Sequence, residues 1–202
     1  MSNQISSNQI LTEISVDLDN RDKNTALIRL ILVFPMVVFI ESFSLFANSA
    51  TGVVGGVLLL PTVLALLVRN KYPSYVLAFN KAFLELSNRV AIYALLLTDA
   101  YPSIESNQKV RLIYPDIDGG NKLNRFLPLI KWLLAIPLYI VGIIYSIYAL
   151  VLTFLSWITI LRSGSYPEQR AEEVVKVIAF WNRVYGYAIL LVSDEYPSFS
   201  LK

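Results

Sequence analysis

Residues 132–161 read WLLAIPLYIVGIIYSIYALVLTFLSWITIL, a run of thirty residues without a charged side chain. About 18 consecutive apolar residues are already typical of a membrane helix. A second apolar stretch, 30–68, contains a single charge, at Glu41. Of the 202 residues, 55% are hydrophobic and only 16% are charged, whereas soluble domains carry about 25% charged residues. The sequence therefore predicts an integral membrane protein.

The residue types that are missing limit the chemistry. There is no cysteine and no histidine, which excludes disulfides, thiolate catalysis, histidine acid–base chemistry and zinc sites built on these ligands. The sequence has no glycine-rich phosphate loop and no evident catalytic set of carboxylates or serine. A net charge of +2 is too small for a nucleic-acid binder. We expect a protein that is not an enzyme and uses no cofactor, metal or nucleic acid.

The first apolar block, 26–68, predicts a helical hairpin. Its centre, Asn-Ser-Ala-Thr-Gly at 48–52, is a turn signal. The flanking arms, at about 26–47 and 52–68, each approach the ~20 residues that cross a bilayer. The 25 residues before the block are polar and do not resemble a signal peptide, so the block itself is the predicted insertion signal.

The second apolar block, 126–161, is harder to place. As one helix its run of thirty uncharged residues would be roughly 45 Å long at ~1.5 Å per residue, which would require a tilt beyond the usual ~40°. We therefore expect two short arms that just cross the bilayer or form a re-entrant wedge. Gly142 and Ser146 are the candidates for the turn between them.

The chain contains an internal duplication. The sequence NRVAIYALLL at 88–97 returns as NRVYGYAILL at 182–191, an offset of 94 residues. Asp-x-Tyr-Pro-Ser follows each copy, at an offset of 95, and Arg29 and Pro35 match Lys131 and Pro137 at an offset of 102. The structural motif comprises Tyr72, Pro73, Asp99, Tyr101 and Pro102 in the first copy and Tyr166, Pro167, Asp194, Tyr196 and Pro197 in the second.

These observations predict an all-α membrane protein of two tandem, parallel repeats. Each repeat has a transmembrane or re-entrant helical hairpin, followed by an amphipathic interfacial helix and preceded by a short extended segment. The predicted parts are a polar N-terminal segment (1–25) with a strand at 14–18, repeat 1 (26–104), a linker (105–125) with a strand at 110–114, and repeat 2 (126–202). The alternative for the amphipathic helices is packing on the protein itself.

Basic residues flank the predicted hairpins and are absent from their tips. By the positive-inside rule, both termini, the linker and the amphipathic helices are expected on the cytoplasmic side of the inner membrane. Candidates for contact with lipid headgroups or the interface are Arg29, Arg69, Arg89, Lys131, Arg162 and Arg183.

At several motifs the chain resembles domain of unknown function 4389, a prokaryotic family of small integral membrane proteins. The resemblance rests on IKWLLAIP at 130–137, the Tyr-Pro step at 166–167, and Trp-Asn-Arg-Val at 181–184 through to Phe199. It covers about 110–201 well and 14–104 more loosely, since repeat 1 lacks the Lys-Trp pair. The resemblance implies the fold rather than an activity, and it makes no residue catalytic.

Four polar positions, Arg89, Asp99, Arg183 and Asp194, admit two interpretations. They could form a headgroup or ion site, or the arginines could anchor the helices while the aspartates close the Tyr-Pro turns. Glu41 is an intramembrane acid and so a functional candidate. Gly52 and Gly56 have the Gly-x-x-x-Gly spacing of close helix packing.

The function most consistent with this inventory is a structural, scaffold or membrane-organising role. Its expected partners are membrane lipids and either further copies of the chain or subunits of a membrane complex. The alternatives are an accessory subunit of a respiratory or photosynthetic complex and, less favoured, a small transporter.

Overall fold

A computed structural model of the chain describes residues 8–45, 53–54, 56–105 and 109–201. These residues are mostly helical, as the sequence predicts. The elements are β1 (Leu11–Ile14), α1 (Lys23–Leu45), β2 (Val53–Val54), β3 (Val57–Leu58), α2 (Leu59–Arg69), α3 (Ser74–Ala94), β4 (Val110–Ile113), a single 3₁₀ turn (Asp118–Gly120), α4 (Pro128–Leu134), α5 (Ile136–Ser163) and α6 (Glu168–Ala188).

The predicted second hairpin is wrong, because α5 is one continuous helix of 28 residues. It runs through both candidate turn residues. A Cβ on Gly142 would lie 2.6 Å from Cζ2 of Trp181, so the glycine allows a close approach of α6 rather than a turn. Ser146 donates to the carbonyl of Gly142 within the helix and accepts a 2.9 Å hydrogen bond from the Trp181 indole.

The first block also departs from a simple hairpin of two spans. Helix α1 is long, but α2 has only 11 residues, about 16 Å at ~1.5 Å per residue, which is too short to return across a bilayer. The two-stranded ribbon β2–β3 precedes α2. Gly56 lies in the turn of this ribbon at φ +80°, against the ring of Phe83 in α3, so it contacts a helix from a turn and is not itself in a helix. Gly52 and the predicted turn at 48–52 lie outside the described residues.

The two amphipathic helices are present as α3 and α6, each beginning directly after a Tyr-Pro step. The prediction that their apolar sides rest on lipid is wrong. Those sides are buried within the protein, since α3 packs along α1 and α6 packs along α5. In α6 the residues Val174, Phe180 and Val184 have no exposed surface. Burial of these apolar side chains, worth roughly 1.5–3 kcal/mol each, holds the helix pairs together.

Helices α1 and α5 lie side by side in opposite directions. Near the start of α1, the carbonyl of Ala26 accepts a 3.0 Å hydrogen bond from the indole of Trp157, close to the end of α5. Lys23 donates to the carbonyl of Arg162 at 3.1 Å. Because α5 is one helix of 28 residues, its two ends are far apart. Lys131 lies in α4, which precedes it, and Arg162 lies in its last turn, so these basic residues are at opposite ends. The expectation that they flank one end of a hairpin is therefore wrong.

A small sheet joins the two halves of the chain. β1 and β4 pair antiparallel, with Leu11 opposite Ile113 and Ile14 opposite Val110. β4 lies where the sequence predicts it. β1 begins three residues before the predicted segment at 14–18, because Ile14 ends the pairing and the following residues run towards α1.

Candidate functional site: an apolar surface with charged ends

The outer sides of α1, α4 and α5 expose large apolar side chains. We call these residues the apolar surface. In α1 they include Leu30, Ile31 and Phe34, which are 79%, 73% and 64% exposed. The others include Ile28 and Val38 in α1, Leu129, Trp132 and Leu133 in α4, and Ile140, Ile144, Ile147, Val151 and Phe154 in α5. Continuous apolar patches above a few hundred Å² are rare on soluble monomers and indicate contact with a membrane or a partner.

Each long helix uses only a narrow seam to contact the protein. The buried positions of α1, Ala26, Arg29, Val33 and Met36, recur every three or four residues, which places them on one side of a helix. Both α1, over Lys23–Phe43, and α5 are long and apolar enough to cross a membrane, and only 22% of the most apolar window of each is buried. Most of each apolar stretch is therefore exposed or only partly covered by the described part of the protein.

Charged residues of α6 lie beside the middle of α5. Two contacts set the register: Arg170 donates to Thr159 Oγ1 at 3.3 Å, and Trp181 donates to Ser146 Oγ at 2.9 Å. The midpoint of α5 falls between these two contacts. Glu172, Glu173 and Lys176 lie on the corresponding part of α6, and the 2.7 Å pair of Lys176 with Glu173 is more than 30% exposed on each side chain.

The same arrangement occurs in the first half. The guanidinium of Arg29 lies 4.1 Å from the ring centroid of Tyr93, and the rings of Phe43 and Phe83 lie 5.7 Å apart. Between these contacts α3 contains Glu85 and Arg89, beside the middle of α1. Arg89 approaches Glu85 at 3.6 Å and donates to the backbone carbonyls of 103, 104 and 105. Charged side chains of α3 and α6, together with the backbone at 103–105, thus lie beside the centres of both long apolar helices.

One end of the apolar surface carries a buried ion cluster. Arg21 and Arg29 are 4% and 2% exposed, and both pair with Asp99, Arg21 at 3.0 Å. Arg29 also donates to the carbonyl of Thr98 at 2.7 Å. Burial lowers the pKa of Arg21, and Asp99 opposes that shift. Asp99 also accepts a hydrogen bond from the backbone amide of Asp22. It therefore binds the segment that directly precedes α1.

The opposite end has a smaller cluster of the same kind. Lys131 has no exposed surface, pairs with Asp194 at 2.6 Å and donates to the carbonyl of Ser193 at 2.7 Å. Its ammonium lies 5.2 Å from the ring centroid of Tyr187. Burial lowers the pKa of Lys131, and Asp194 partly offsets this. Because they are buried and paired with carboxylates, Arg29 and Lys131 are not available to headgroups in this conformation.

Between the two ends, Asn88 and Asn182 bind each other. Asn88 Nδ2 donates to Asn182 Oδ1 at 2.9 Å, and Asn182 Nδ2 donates to Asn88 Oδ1 at 2.8 Å. Both side chains are buried. Neither was a candidate on sequence grounds, although the offset of 94 residues that separates them was visible. Arg21 was likewise missed as a cluster member, because its partner Asp99 is remote in sequence.

The other predicted residues are distributed as follows. Arg183 donates to the carbonyl of Ser200, so it ties down the segment after the second Tyr-Pro motif. Arg69 and Arg162 are exposed at helix ends and remain open to headgroups.

The tyrosines and prolines of the structural motif are buried to different extents. Tyr72 and Tyr166 are buried, and their backbone amides donate to the carbonyls of Gly119 and Leu18, each at 2.7 Å. Pro73 and Pro167 directly precede α3 and α6, Pro102 and Pro197 are buried, and Tyr101 and Tyr196 stack edge-on against Tyr93 and Tyr187.

Two remaining features concern ligands. Glu41 is exposed and, together with Asn88 and Asn182, lines a cavity of about 540 Å³ between α1, α3, α5 and α6. Across the described part of the chain, no group of three or more Asp, Glu, Cys or His side chains is placed to hold a metal ion.

Comparison with known proteins identifies one related family. Residues 128–200, which begin with the first residue of α4 and extend past the second Tyr-Pro motif, match the family described as a domain of unknown function, DUF4389. No curated protein matches the chain, and no solved structure does. The segment that contains α4, α5 and α6 is thus similar to the DUF4389 family.

Proposed function

We propose that this protein is a structural, membrane-organising protein that inserts into one leaflet of the inner membrane from the cytoplasmic side. In this arrangement α1 and α5 lie parallel to the membrane plane. The apolar surface faces the acyl chains, and α3, α6 and the β1–β4 sheet face water. The observation that carries the proposal is the position of charged residues beside the midpoints of both long apolar helices.

The two possible orientations of α1 and α5 differ in the surroundings they give to the neighbouring charged residues. If α5 crossed the bilayer, Glu172, Glu173 and Lys176 would lie near its centre, where each charged side chain costs at least ~2.5 kcal/mol. A spanning α1 would place Glu85 and the backbone around Glu105 at the same depth. With the helices in the plane these groups meet water, while the apolar surface still enters the headgroup and acyl region, as in other interfacial helices.

The charge distribution supports the same orientation. Exposed Arg162 lies in the last turn of α5, and exposed Arg125 precedes α4 at the other end. A spanning α5 would leave one of these basic ends outside the cell, contrary to the positive-inside rule. A helix in the plane keeps both ends, and both chain termini, on the cytoplasmic side.

We further infer that the two halves are copies of one unit, related by an approximate two-fold axis. Four features support this. The Asn88–Asn182 pair is reciprocal, and the β1–β4 register pairs residues symmetrically. The Arg29–Asp99 contact has its counterpart in Lys131–Asp194. Leu96 and Leu191, which are separated by 95 residues like Asp99 and Asp194, share a positive φ of 63° and 59°. On this view the opposed directions of α1 and α5 follow from the two-fold axis.

A protein that occupies one leaflet expands that leaflet relative to the other. Enough copies, alone or as a homo-oligomer on the membrane, would bend or organise the bilayer. The test is reconstitution into liposomes over a range of protein-to-lipid ratios, imaged by cryo-electron microscopy. We expect the vesicles to become tubular or smaller as protein is added. Vesicles that stay round and unchanged at high protein load would contradict the membrane-organising role.

Membrane attachment itself is tested separately by flotation with liposomes. Changing Ile31 and Ile144 to Asp places two charges on the apolar surface without opening the core, since both side chains are more than half exposed. We expect this variant to lose most of its membrane binding. The matched control, Ala82→Asp on the exposed side of α3, should float like the parent. Equal flotation of both variants would exclude the apolar surface as the attachment site.

A further inference from the structure

The cavity between the long helices has an apolar wall and a polar floor. Its volume is about 540 Å³, within the ~300–1,000 Å³ range of small-molecule sites. Ile40, Val57, Leu84 and Ile178 contribute to the wall. Asn88 and Asn182, which bind each other, are the buried amides of the lining.

The two asparagines of this floor have free hydrogen-bond acceptors but no free donors. Each asparagine amide has two N–H groups, and all four are used: Asn88 donates to Leu84 O and Asn182 Oδ1, and Asn182 donates to Thr12 Oγ1 and Asn88 Oδ1. Each Oδ1 accepts one of these bonds and keeps a second lone pair. The floor can therefore accept a hydrogen bond from a ligand, but its amides have none left to donate.

The negative charge of Glu41 on the cavity wall also favours an uncharged ligand that donates a hydrogen bond. Glu41 is the ionisable acid that lines the cavity, and burial together with Glu41 raises the pKa of the nearby Tyr185. A carboxylate near the cavity repels anionic ligands. Hydroxyl groups suit the floor because they donate without carrying charge.

The cavity is continuous with the apolar surface. Leu150 lines it and is 60% exposed on the outer side of α5, and Ile40 lines it from α1. A ligand whose polar end reaches the asparagine pair can therefore extend a hydrocarbon chain between α1 and α5.

We propose that this cavity binds an uncharged long-chain lipid through a hydroxyl group. The hydroxyl donates to Oδ1 of Asn88 or Asn182, and the alkyl chain runs out along Ile40 and Leu150 to the apolar surface. The supply of such a ligand from the surrounding bilayer rests on the proposed membrane location, whereas the chemistry of the site does not.

Trp181 lines the cavity and can report binding by its fluorescence. In a parent in which Trp132 and Trp157 are changed to Phe, Trp181 is the one remaining tryptophan. The probe is 2-bromohexadecan-1-ol, whose bromine lies beside the hydroxyl and quenches a tryptophan on contact. Titration in detergent micelles, without a bilayer, should give saturable quenching. Quenching that rises linearly without saturation would overturn the proposal.

Cavity-filling variants test the location. Ala91→Phe and, as a second variant, Ser87→Leu place bulk inside the cavity, and both should weaken binding by about tenfold or more. Ala82→Phe makes the first of these changes on the exposed side of the same helix and should leave the titration unchanged. Circular dichroism and the unfolding temperature check that each variant is folded. Parent-like titrations in both folded cavity variants would exclude this site.

The matched acid, 2-bromohexadecanoate, tests the selectivity. It should bind at least about tenfold more weakly than the alcohol, and Glu41→Gln should narrow the difference by removing the repulsion. Acid binding as tight as alcohol binding would contradict the acceptor-only floor. Because no bilayer is present, failure here leaves the membrane orientation standing, and failure of the orientation leaves these titrations valid.

Discussion

Both ends of the apolar surface bury positive charge and neutralise it with one aspartate, but they use different basic side chains. At one end, Asp99 neutralises two buried arginines, Arg21 and Arg29. At the other, Asp194 neutralises one buried lysine, Lys131. Arginine remains protonated at any physiological pH, whereas a buried lysine can release its proton. The arginine end therefore depends fully on its carboxylate, while the lysine end has an alternative state.

The largest effect is expected from Asp99→Asn. The change keeps the side-chain size but leaves two buried guanidinium groups without their carboxylate. Removing one partner of a buried ion pair typically costs about 3–5 kcal/mol, so the free energy of unfolding in detergent should fall by about that amount. The control is Asp116→Asn in the exposed pair with Lys122, which should unfold like the parent. Equal stability of the Asp99 and Asp116 variants would refute the role of the arginine end.

A smaller effect is expected from Asp194→Asn. Lys131 keeps its hydrogen bond to the carbonyl of Ser193 and can become neutral, so we expect a loss of about 1.5–3 kcal/mol at pH 7. The measurement is the same unfolding experiment. A loss that exceeds that of Asp99→Asn would reverse the comparison between the two ends.

The pH dependence distinguishes the ends further. Burial lowers the pKa of Lys131 in the folded protein, whereas in the unfolded chain lysine titrates near ~10.4. Between these two pKa values the unfolded state binds more protons, so stability rises with pH in this window. Removing Asp194 takes away the interaction that opposes the shift. The deficit of Asp194→Asn should therefore shrink as the pH rises towards 10, while that of Asp99→Asn should not change. Parallel pH profiles would contradict this assignment.

The asparagine pair at the centre should behave as a unit. Asn88→Ala leaves the buried amide of Asn182 without one partner, which costs about 1–3 kcal/mol. Replacing both residues by Leu removes both polar groups together. A double-mutant cycle should show a cost for the double change below the sum of the single Leu changes. Simple additivity would argue that the two amides do not interact.

The smallest effect is expected on the sheet that joins the halves. Glu13 and Arg111 face each other in the β1–β4 register at 3.8 Å, and both side chains are more than half exposed. Exposed pairs contribute about 0–1 kcal/mol, so Glu13→Gln should barely change stability at low salt and not at all at high salt. A loss as large as that of Asp194→Asn would indicate an uncharacterised role for this pair.

Local signals predicted some of the elements correctly. The Tyr-Pro steps and helical periodicity place α3 and α6, and alternation of apolar and polar residues places β4. The path of the chain was not predictable in the same way. Gly142 is equally consistent with a turn and with a close helix contact, and the deciding neighbour, Trp181, is 39 positions away in sequence.

The side on which an amphipathic helix rests was also beyond local reasoning. The periodicity of α6 shows that one side of the helix is apolar, but such a side can be buried against either protein or lipid. Only the fold shows that α5 covers it. The partners of Arg29 and Lys131 are 70 and 63 residues away, so their burial could not be read from the basic residues alone.

The orientation of α5 is tested most directly by labelling its two ends, and the natural absence of cysteine makes this simple. Single cysteines replace Ser163, at the end of α5, and Asn121, before α4; both positions are exposed. Each is treated with a membrane-impermeant maleimide in intact cells and in inverted membrane vesicles. We predict that both react in inverted vesicles and neither in intact cells, as the proposed in-plane orientation of α5 requires. Labelling of the two cysteines from opposite sides would contradict the account, because α5 would then span the membrane.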